Sequence, residues 1–202
     1  MRGAVLKILA GSALATVALS ATPAAASVTF DTTGTTLSCN GAVNCTQVTS
    51  TSVSWNGLTL SYTAGGGVGI DPPSNINLGF LNAAGVGPFD VGGLLLTIAI
   101  NQTVPGGSGS LPGGSLAGII SQTSSGATIS WLSPSVTING YIYTVANNPL
   151  SIVAPNSGGL TSIQGTVQAV PEPATWGMML LGFAGMGFVL RRRRQPALAQ
   201  LA

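Results

Sequence analysis

The chain contains few side chains that could act as a nucleophile, an acid, a base or a metal ligand. Its 202 residues include no histidine, two cysteines and four carboxylates. The basic residues are Arg2, Lys7, Arg191, Arg192, Arg193 and Arg194, so residues 27–169 contain neither lysine nor arginine. Serine and cysteine hydrolases need a histidine or a lysine as the general base. The sequence therefore excludes these mechanisms for residues 27–169.

Three aspartates, Asp31, Asp71 and Asp90, are the only carboxylates of residues 27–169. Two of them could act as the acid and the base of a glycosidase. Asp71 precedes a proline in a turn, however, and Asp90 stands at the start of a predicted strand, so turn chemistry explains both positions. Calcium is an alternative use for three carboxylates, although the sequence has no EF-hand loop. We predict that the protein is not an enzyme and has no catalytic residue, assigned metal site or cofactor.

The two cysteines, Cys39 and Cys45, stand close together in the chain. A redox pair would need Cys-x-x-Cys spacing and a nearby cation, and a zinc site would need two more ligands. In a domain that folds outside the cytoplasm, the pair instead predicts a structural disulfide bond. The chain-entropy model gives so short a loop a stabilisation of about 2 to 3 kcal/mol.

The formal charge of residues 27–169 is 0 − 3 = −3, from no cations and three aspartates. Proteins bind nucleic acids by neutralising phosphates with lysine and arginine, so nucleic-acid binding is excluded for this stretch. The strand faces are expected to present serine, threonine, asparagine, glutamine and glycine. Such a neutral surface favours association with hydroxyl-rich polymers or with other copies of the chain.

The N-terminal segment has the three parts of a secretory signal peptide. Arg2 and Lys7 precede an apolar stretch over residues 8–19, and the small residues 24–26 form a cleavage site. This apolar stretch would span only about 18 Å as a helix, which is less than the bilayer core of about 30 Å. We predict a signal peptide over residues 1–26, which signal peptidase cuts between Ala26 and Ser27.

The C-terminal segment contains an uncharged stretch, residues 174–190, that ends at the arginine cluster Arg191, Arg192, Arg193 and Arg194. This pattern predicts a transmembrane helix over residues 174–190. Arginines stay on the cytoplasmic side of a membrane, so the domain over residues 27–169 would face the periplasm. Residues 195–202 would form a short cytoplasmic tail.

The order of the motifs at this end resembles a PEP-CTERM sorting domain. Pro171-Glu172-Pro173 precedes Trp176, a glycine-rich apolar stretch and the arginine cluster, and the resemblance covers residues 170–194. It implies that an exosortase, which is a membrane-embedded cysteine protease, recognises the Pro-Glu-Pro motif after export and removes the tail. It also implies a Gram-negative host that makes extracellular polysaccharide. The prolines suit this role because they favour extended backbone before the apolar stretch.

Residues 27–169 have the pattern of an all-β domain. Short runs of Val, Ile, Leu, Thr and Tyr are separated by Gly, Pro, Asn and Ser, and no helical period of useful length occurs. Asn56-Gly57 lies between two alternating runs and predicts a hairpin. About eight or nine such runs predict an antiparallel β-sandwich or a jelly roll. The glycine-rich segments 65–69 and 105–114 are expected to be poorly ordered loops.

Together these features predict an exported, exosortase-sorted surface or extracellular-matrix protein with a structural or coat role in a polysaccharide-producing bacterium. Its expected partners are signal peptidase, exosortase and extracellular polysaccharide. The alternative is an adhesin or a carbohydrate-binding module. Its ligand would stack on exposed aromatic rings, for which the candidates are Trp55, Trp131, Tyr141 and Tyr143.

Overall fold

The computed structural model describes residues 26–55, 57–170 and 173–193. Residues 1–25 of the predicted signal peptide, Pro171, Glu172, Arg194 and the predicted tail 195–202 lie outside the described residues. The predicted domain is therefore described throughout except at Asn56.

Residues 28–169 form strands joined mostly by short turns, because runs of β-branched and aliphatic residues are interrupted by Gly, Pro and Asn. The strands are β1 (Val28–Asp31), β2 (Thr36–Ser38), β3 (Thr46–Thr49), β4 (Ser52–Trp55), β5 (Leu58–Ala64), β6 (Gly66–Ile70), β7 (Ser74–Gly85), β8 (Phe89–Asp90), β9 (Leu95–Val104), β10 (Gly107–Ala117), β11 (Ile119–Ile120), β12 (Thr128–Trp131), β13 (Ser135–Ile138), β14 (Tyr141–Val145), β15 (Leu150–Ser151) and β16 (Leu160–Ala169). A single 3-10 turn, Pro155–Ser157, precedes β16, and the helix α1 (Pro173–Arg193) follows it.

Two large antiparallel sheets contain most of these strands. The first sheet has the order β15-β12-β10-β9-β1-β6, and β2 pairs with β9 beside it. The second sheet has the order β13-β14-β16-β7-β5-β4-β3, and β8 and β11 form a small separate pair. The prediction of an all-β fold with antiparallel sheets is confirmed. The strands are more numerous than the sequence indicated.

One hydrophobic core joins the two sheets. Buried and partly exposed side chains alternate along the strands, and the buried set includes Leu58, Leu60 and Tyr62 of β5 and Leu96, Ile98 and Ile100 of β9. This period of two is the geometry of a strand with one face on a core. Phe30 of the first sheet meets Tyr143 of the second edge to face, with ring centroids 5.5 Å apart.

A polar link also crosses this core. The Tyr143 O–H donates to Gln102 Oε1 at 2.7 Å, and Gln102 Nε2 donates to the Pro105 carbonyl at 2.6 Å. Tyr143 and Gln102 are both buried. Because these buried groups have partners, they join the two sheets without the cost of an unpaired polar atom.

The predicted hairpin is confirmed by the pairing of its strands. β4 ends at Trp55 and β5 begins at Leu58, and these two residues pair across the turn. Gly57 has a φ of +99°, a left-handed conformation that glycine adopts readily. The connection is therefore the two-residue turn that an Asn-Gly sequence favours.

The prediction of poorly ordered loops at 65–69 and 105–114 is wrong. Gly66–Ile70 is the edge strand β6, and Gly107–Ala117 is β10, which pairs with β9 and β12. A Cβ at Gly66 would lie 2.7 Å from the Phe30 carbonyl oxygen. A Cβ at Gly114 would lie 2.8 Å from the Leu96 carbonyl oxygen. Glycine occupies these strand positions because neighbouring backbone leaves no room for a side chain.

Candidate functional site at the end of the domain

The last strand of the domain leads directly into the Pro-Glu-Pro motif. β16 lies inside the second sheet, between β14 and β7. Near its end Ala169 pairs with Tyr141, and the Val170 N–H donates to the Gly140 carbonyl at 2.7 Å. The sheet therefore still holds the chain at residue 170. Pro171 follows with no intervening residue.

The start of the domain lies at the same place. The Tyr141 O–H donates to the Ala26 carbonyl at 2.9 Å, and the Tyr141 side chain is buried. Tyr141 thus contacts the residue just before the domain through its hydroxyl, and it contacts the last strand of the domain through its backbone pairing with Ala169. No local sequence pattern indicates this contact, because 115 positions separate Tyr141 from Ala26. The chain enters and leaves the domain at one end of the second sheet.

Helix α1 begins at Pro173 and ends at Arg193. A proline suits the first helical position because its missing N–H would have no helical partner there. Trp176 is 55% exposed, and the apolar side chains from Met178 to Leu190 are exposed as well. Arg191, Arg192 and Arg193 form the last residues of the helix. The helix thus contains the whole predicted span 174–190.

Within residues 26–55, 57–170 and 173–193, no helix is long and apolar enough to cross a membrane. The predicted transmembrane span 174–190 is therefore present as a helix but does not meet this requirement.

The aromatic side chains that were candidates for stacking are not on the surface. Trp55 and Trp131 are each 3% exposed, Tyr141 is 7% exposed and Tyr143 is 0% exposed. Tyr141 and Tyr143 do share one face of β14, but this face packs on the core. The prediction of a binding module that uses these four rings as exposed platforms is therefore wrong.

Cys39 and Cys45 form a disulfide bond with their Cα atoms 5.7 Å apart. Both cysteines pack against the hydrophobic core. The bridge closes a loop in which Val43 and Asn44 are exposed to solvent. It therefore fixes the position of these two side chains at the surface.

The carboxylate of Asp31 is used within the fold. Its Oδ1 accepts hydrogen bonds from the Thr33 N–H at 2.9 Å and from Asn101 Nδ2 at 3.1 Å, and also from the Thr33 hydroxyl. These hydrogen bonds hold the pKa of Asp31 below its usual value, and the bond from the Thr33 hydroxyl has the largest effect. Across the described part of the chain, no three His, Cys, Asp or Glu side chains lie together as a metal site. The three aspartates of the domain thus do not assemble the calcium site considered above.

The family model of the PEP-CTERM protein-sorting motif matches residues 169–194. The matched segment runs from the last residue of β16 through helix α1 to the arginine cluster. No curated protein and no solved structure matches the chain.

Fold and motif together define a class of molecule. It is an all-β domain whose last strand leads directly into a C-terminal sorting signal. The chain carries the PEP-CTERM sorting motif, which indicates an exported protein that exosortase sorts from a membrane-associated precursor.

Proposed function

We propose that the protein is a non-enzymatic coat or matrix component, which exosortase sorts to the bacterial surface or releases into extracellular polysaccharide. The observation that carries this proposal is the outer face of the second sheet, where uncharged polar side chains lie in rows across the strands. One row is Ser135, Thr144, Thr166 and Asn75, and another is Ser52, Ser61 and Asn82. All of these side chains are exposed or half-buried.

A surface of this kind suits a packed layer or a hydrated matrix. Hydroxyl and amide groups can both donate and accept hydrogen bonds, so they can replace water with a hydroxyl-rich polymer. Residues 27–169 carry only three charges, all negative, so little repulsion separates neighbouring copies. The burial of Trp55, Trp131, Tyr141 and Tyr143 favours this role over that of a receptor with an aromatic platform.

The meeting of the two chain ends supports delivery from a membrane. The predicted signal peptide ends at Ala26, the sorting motif follows Val170, and both residues lie beside Tyr141. Both terminal segments can therefore engage the same membrane while the domain stays on one side of it. Domain ends at opposite poles would require an additional connecting segment.

Mass spectrometry of the protein from the cell surface and from the culture supernatant tests the proposal. We expect a mature form that begins at Ser27 and ends within residues 171–173. Glu172→Ala alters the motif, and we expect it to leave an intact tail in the membrane fraction. Gln168→Ala is the matched control, because Gln168 is an exposed residue of β16 just before the motif.

Processing of Glu172→Ala like the wild type would contradict sorting through this motif. Recovery of the wild-type protein only with its tail intact would contradict the coat or matrix role. A deletion strain whose surface and matrix are unchanged in composition and hydration would also contradict that role.

A further inference from the structure

A cleft lies at one end of the second sheet. This end is formed by Trp55 of β4 and by the segment after β7. The cleft has a volume of about 420 Å³, and its lining includes Val43, Asn44, Trp55, Val86, Phe89 and Asp90. This volume is within the range of small-molecule sites. Val43 is 80% exposed and Val86 is 59% exposed, so apolar surface at the rim faces solvent. Trp55 and Phe89 are buried side chains that form the deeper wall.

Two polar side chains at this cleft remain available to a ligand. Asp90 Oδ1 accepts a hydrogen bond from the Gly92 N–H at 2.8 Å, which leaves Oδ2 of this exposed carboxylate for another partner. Asn44 is exposed, and the disulfide loop holds it with a φ of +60°. Trp55 contributes its ring to the wall, since its Nε1 atom is buried.

The charge of the site restricts the class of ligand. Residues 27–169 contain no cation, and Asp90 places a negative charge at the rim, so an anionic ligand would be repelled. A carboxylate and a carboxamide bind hydroxyl groups, and the apolar walls suit C–H groups. A sugar ring combines both features, because its faces carry C–H groups and its edge carries hydroxyl groups. We propose that this cleft binds one or two residues of a neutral glycan chain.

The cleft and the sorting motif lie at opposite ends of the second sheet. Trp55 pairs with Leu58, which pairs with Gly85 at the end of β7. The opposite end of β7, Ser74, pairs with Val167 close to the end of β16. The length of β7 therefore separates the cleft from the end of β16 and the Pro-Glu-Pro motif. Since β7 has twelve residues, this separation is about 35 Å. The cleft thus lies away from Val170 and the motif that follows it.

This inference deepens the proposed function, because it assigns the polysaccharide contact to a defined site. It does not depend on how the chain is processed. Failure of glycan binding would leave the processing result unchanged, and failure of processing would leave binding unchanged.

The test uses the full 202-residue chain with ¹⁵N-labelled tryptophan. The chain has three tryptophans, so their indole N–H signals can be followed separately, and Trp55→Phe assigns the relevant one. Neutral cello-, manno- and malto-tetraose are titrated to about 10 mM, which detects millimolar affinity. We expect at least one of them to move the Trp55 signal while the Trp131 and Trp176 signals stay in place. Tetragalacturonate, which is anionic, should leave all three in place.

Two variants test the polar groups. Asp90→Asn should weaken binding about tenfold, because a hydrogen bond to a charged acceptor is lost. Asp71→Asn is the matched control, since Asp71 is an exposed aspartate outside the cleft, and it should bind like the wild type. Asn44→Gly removes the carboxamide and keeps a residue that tolerates positive φ, and it should also weaken binding.

Three results would overturn the proposal. The first is a Trp55 signal that none of the three neutral tetraoses moves. The second is equal weakening of binding by Asp90→Asn and Asp71→Asn. The third is a Trp55 signal that responds to tetralysine and to no saccharide, which would make the cleft a site for a cationic peptide.

Discussion

At the scale of single residues, this domain uses neutral hydrogen-bonding groups for contacts that many proteins make with charges. Gln102 and Tyr143 join the two sheets through a hydrogen bond in the core. Asn148 continues the edge of β12, since its Oδ1 accepts from the Trp131 N–H at 2.9 Å and its Nδ2 donates to the Trp131 carbonyl at 2.8 Å. These contacts need no ion pair, so we expect the stability of the domain to depend little on salt.

Tyr143→Phe tests the link across the core. The change removes the donor to Gln102 Oε1 and leaves that buried oxygen unpaired, so we expect the free energy of unfolding to fall by about 1 to 3 kcal/mol. Denaturant unfolding measures this loss. Tyr141→Phe is the control and should cost less, because the Tyr141 hydroxyl donates to the carbonyl of Ala26, the last residue of the predicted signal peptide. Equal costs for the two variants would contradict the link.

The same tyrosine should make the domain sensitive to alkali. Burial, with a smaller effect of Tyr141, raises the pKa of Tyr143 to about 12, above the value near 10 of an unfolded tyrosine. The neutral hydroxyl thus stabilises the fold fully below pH about 10, and this contribution is lost as the pH rises through about 12. We expect Tyr143→Phe to reduce the loss of stability in this range.

Asp31 should contribute to the behaviour in acid. The hydrogen bonds of Thr33 and Asn101 lower its pKa in the folded state, so its contribution is present above the pKa near 3.9 of an unfolded aspartate. It is lost as the pH falls through the lower folded value. We expect Asn101→Ala to flatten the fall of the unfolding temperature on acidification. An unchanged pH profile for Asn101→Ala would show that Asn101 does not stabilise the Asp31 carboxylate.

At the scale of elements, the glycines of β10 are packing residues. Gly114→Ala would bring a Cβ within 2.8 Å of the Leu96 carbonyl oxygen and 2.9 Å of Trp131 Nε1, so we expect a loss of about 1 to 3 kcal/mol. Gly106→Ala is the control, because no atom lies within 4 Å of the Cβ it would create. Thermal unfolding of the two variants compares them directly. An equal effect at both positions would contradict the packing role.

These glycines also show where sequence reasoning succeeds and fails. The alternation in β5 and β9 and the Asn56-Gly57 turn are local patterns, so the sequence predicts all-β structure and one hairpin correctly. Glycine has two unrelated uses, free loops and close packing, and only the neighbouring strand distinguishes them. The burial of Trp55 and Tyr143 is likewise not predictable from the sequence alone. Alternation shows which residues share a face of a strand, but it does not show whether that face is covered.

The candidate sites divide in the same way. The sorting motif is a run of adjacent residues, so it can be predicted from the sequence alone. The cleft combines the disulfide loop, the end of β4 and the segment before β8, which come together only in the folded chain. Its two polar side chains, Asn44 and Asp90, have no pattern along the sequence. Contacts across such separations depend on strand order, which periodicity does not reveal.

At the scale of the whole molecule, the absence of a linker between domain and motif should limit exosortase. Val170 is hydrogen-bonded to Gly140, and Pro171 follows at once. A protease subsite needs several extended residues, so we expect a Gly-Ser linker of about six residues between Val170 and Pro171 to speed processing. Pulse-chase labelling measures the rate, and the same insertion after Gln195 is the control. A rate that the linker leaves unchanged would show that the sheet does not restrict access.

The contact of Tyr141 with Ala26 bears on the order of events in time. The predicted signal cut is at the peptide bond between Ala26 and Ser27, and in the uncut chain the carbonyl of this bond accepts the Tyr141 hydrogen bond. A protease needs the Ala26–Ser27 peptide bond extended and free. The first cut must therefore occur before β14, which contains Tyr141, has joined the sheet. The second cut concerns a segment that follows β16 and therefore leaves the translocation machinery after all the strands. Maturation would then be a sequence in which the first protease acts on an open chain and the second acts on a closed one.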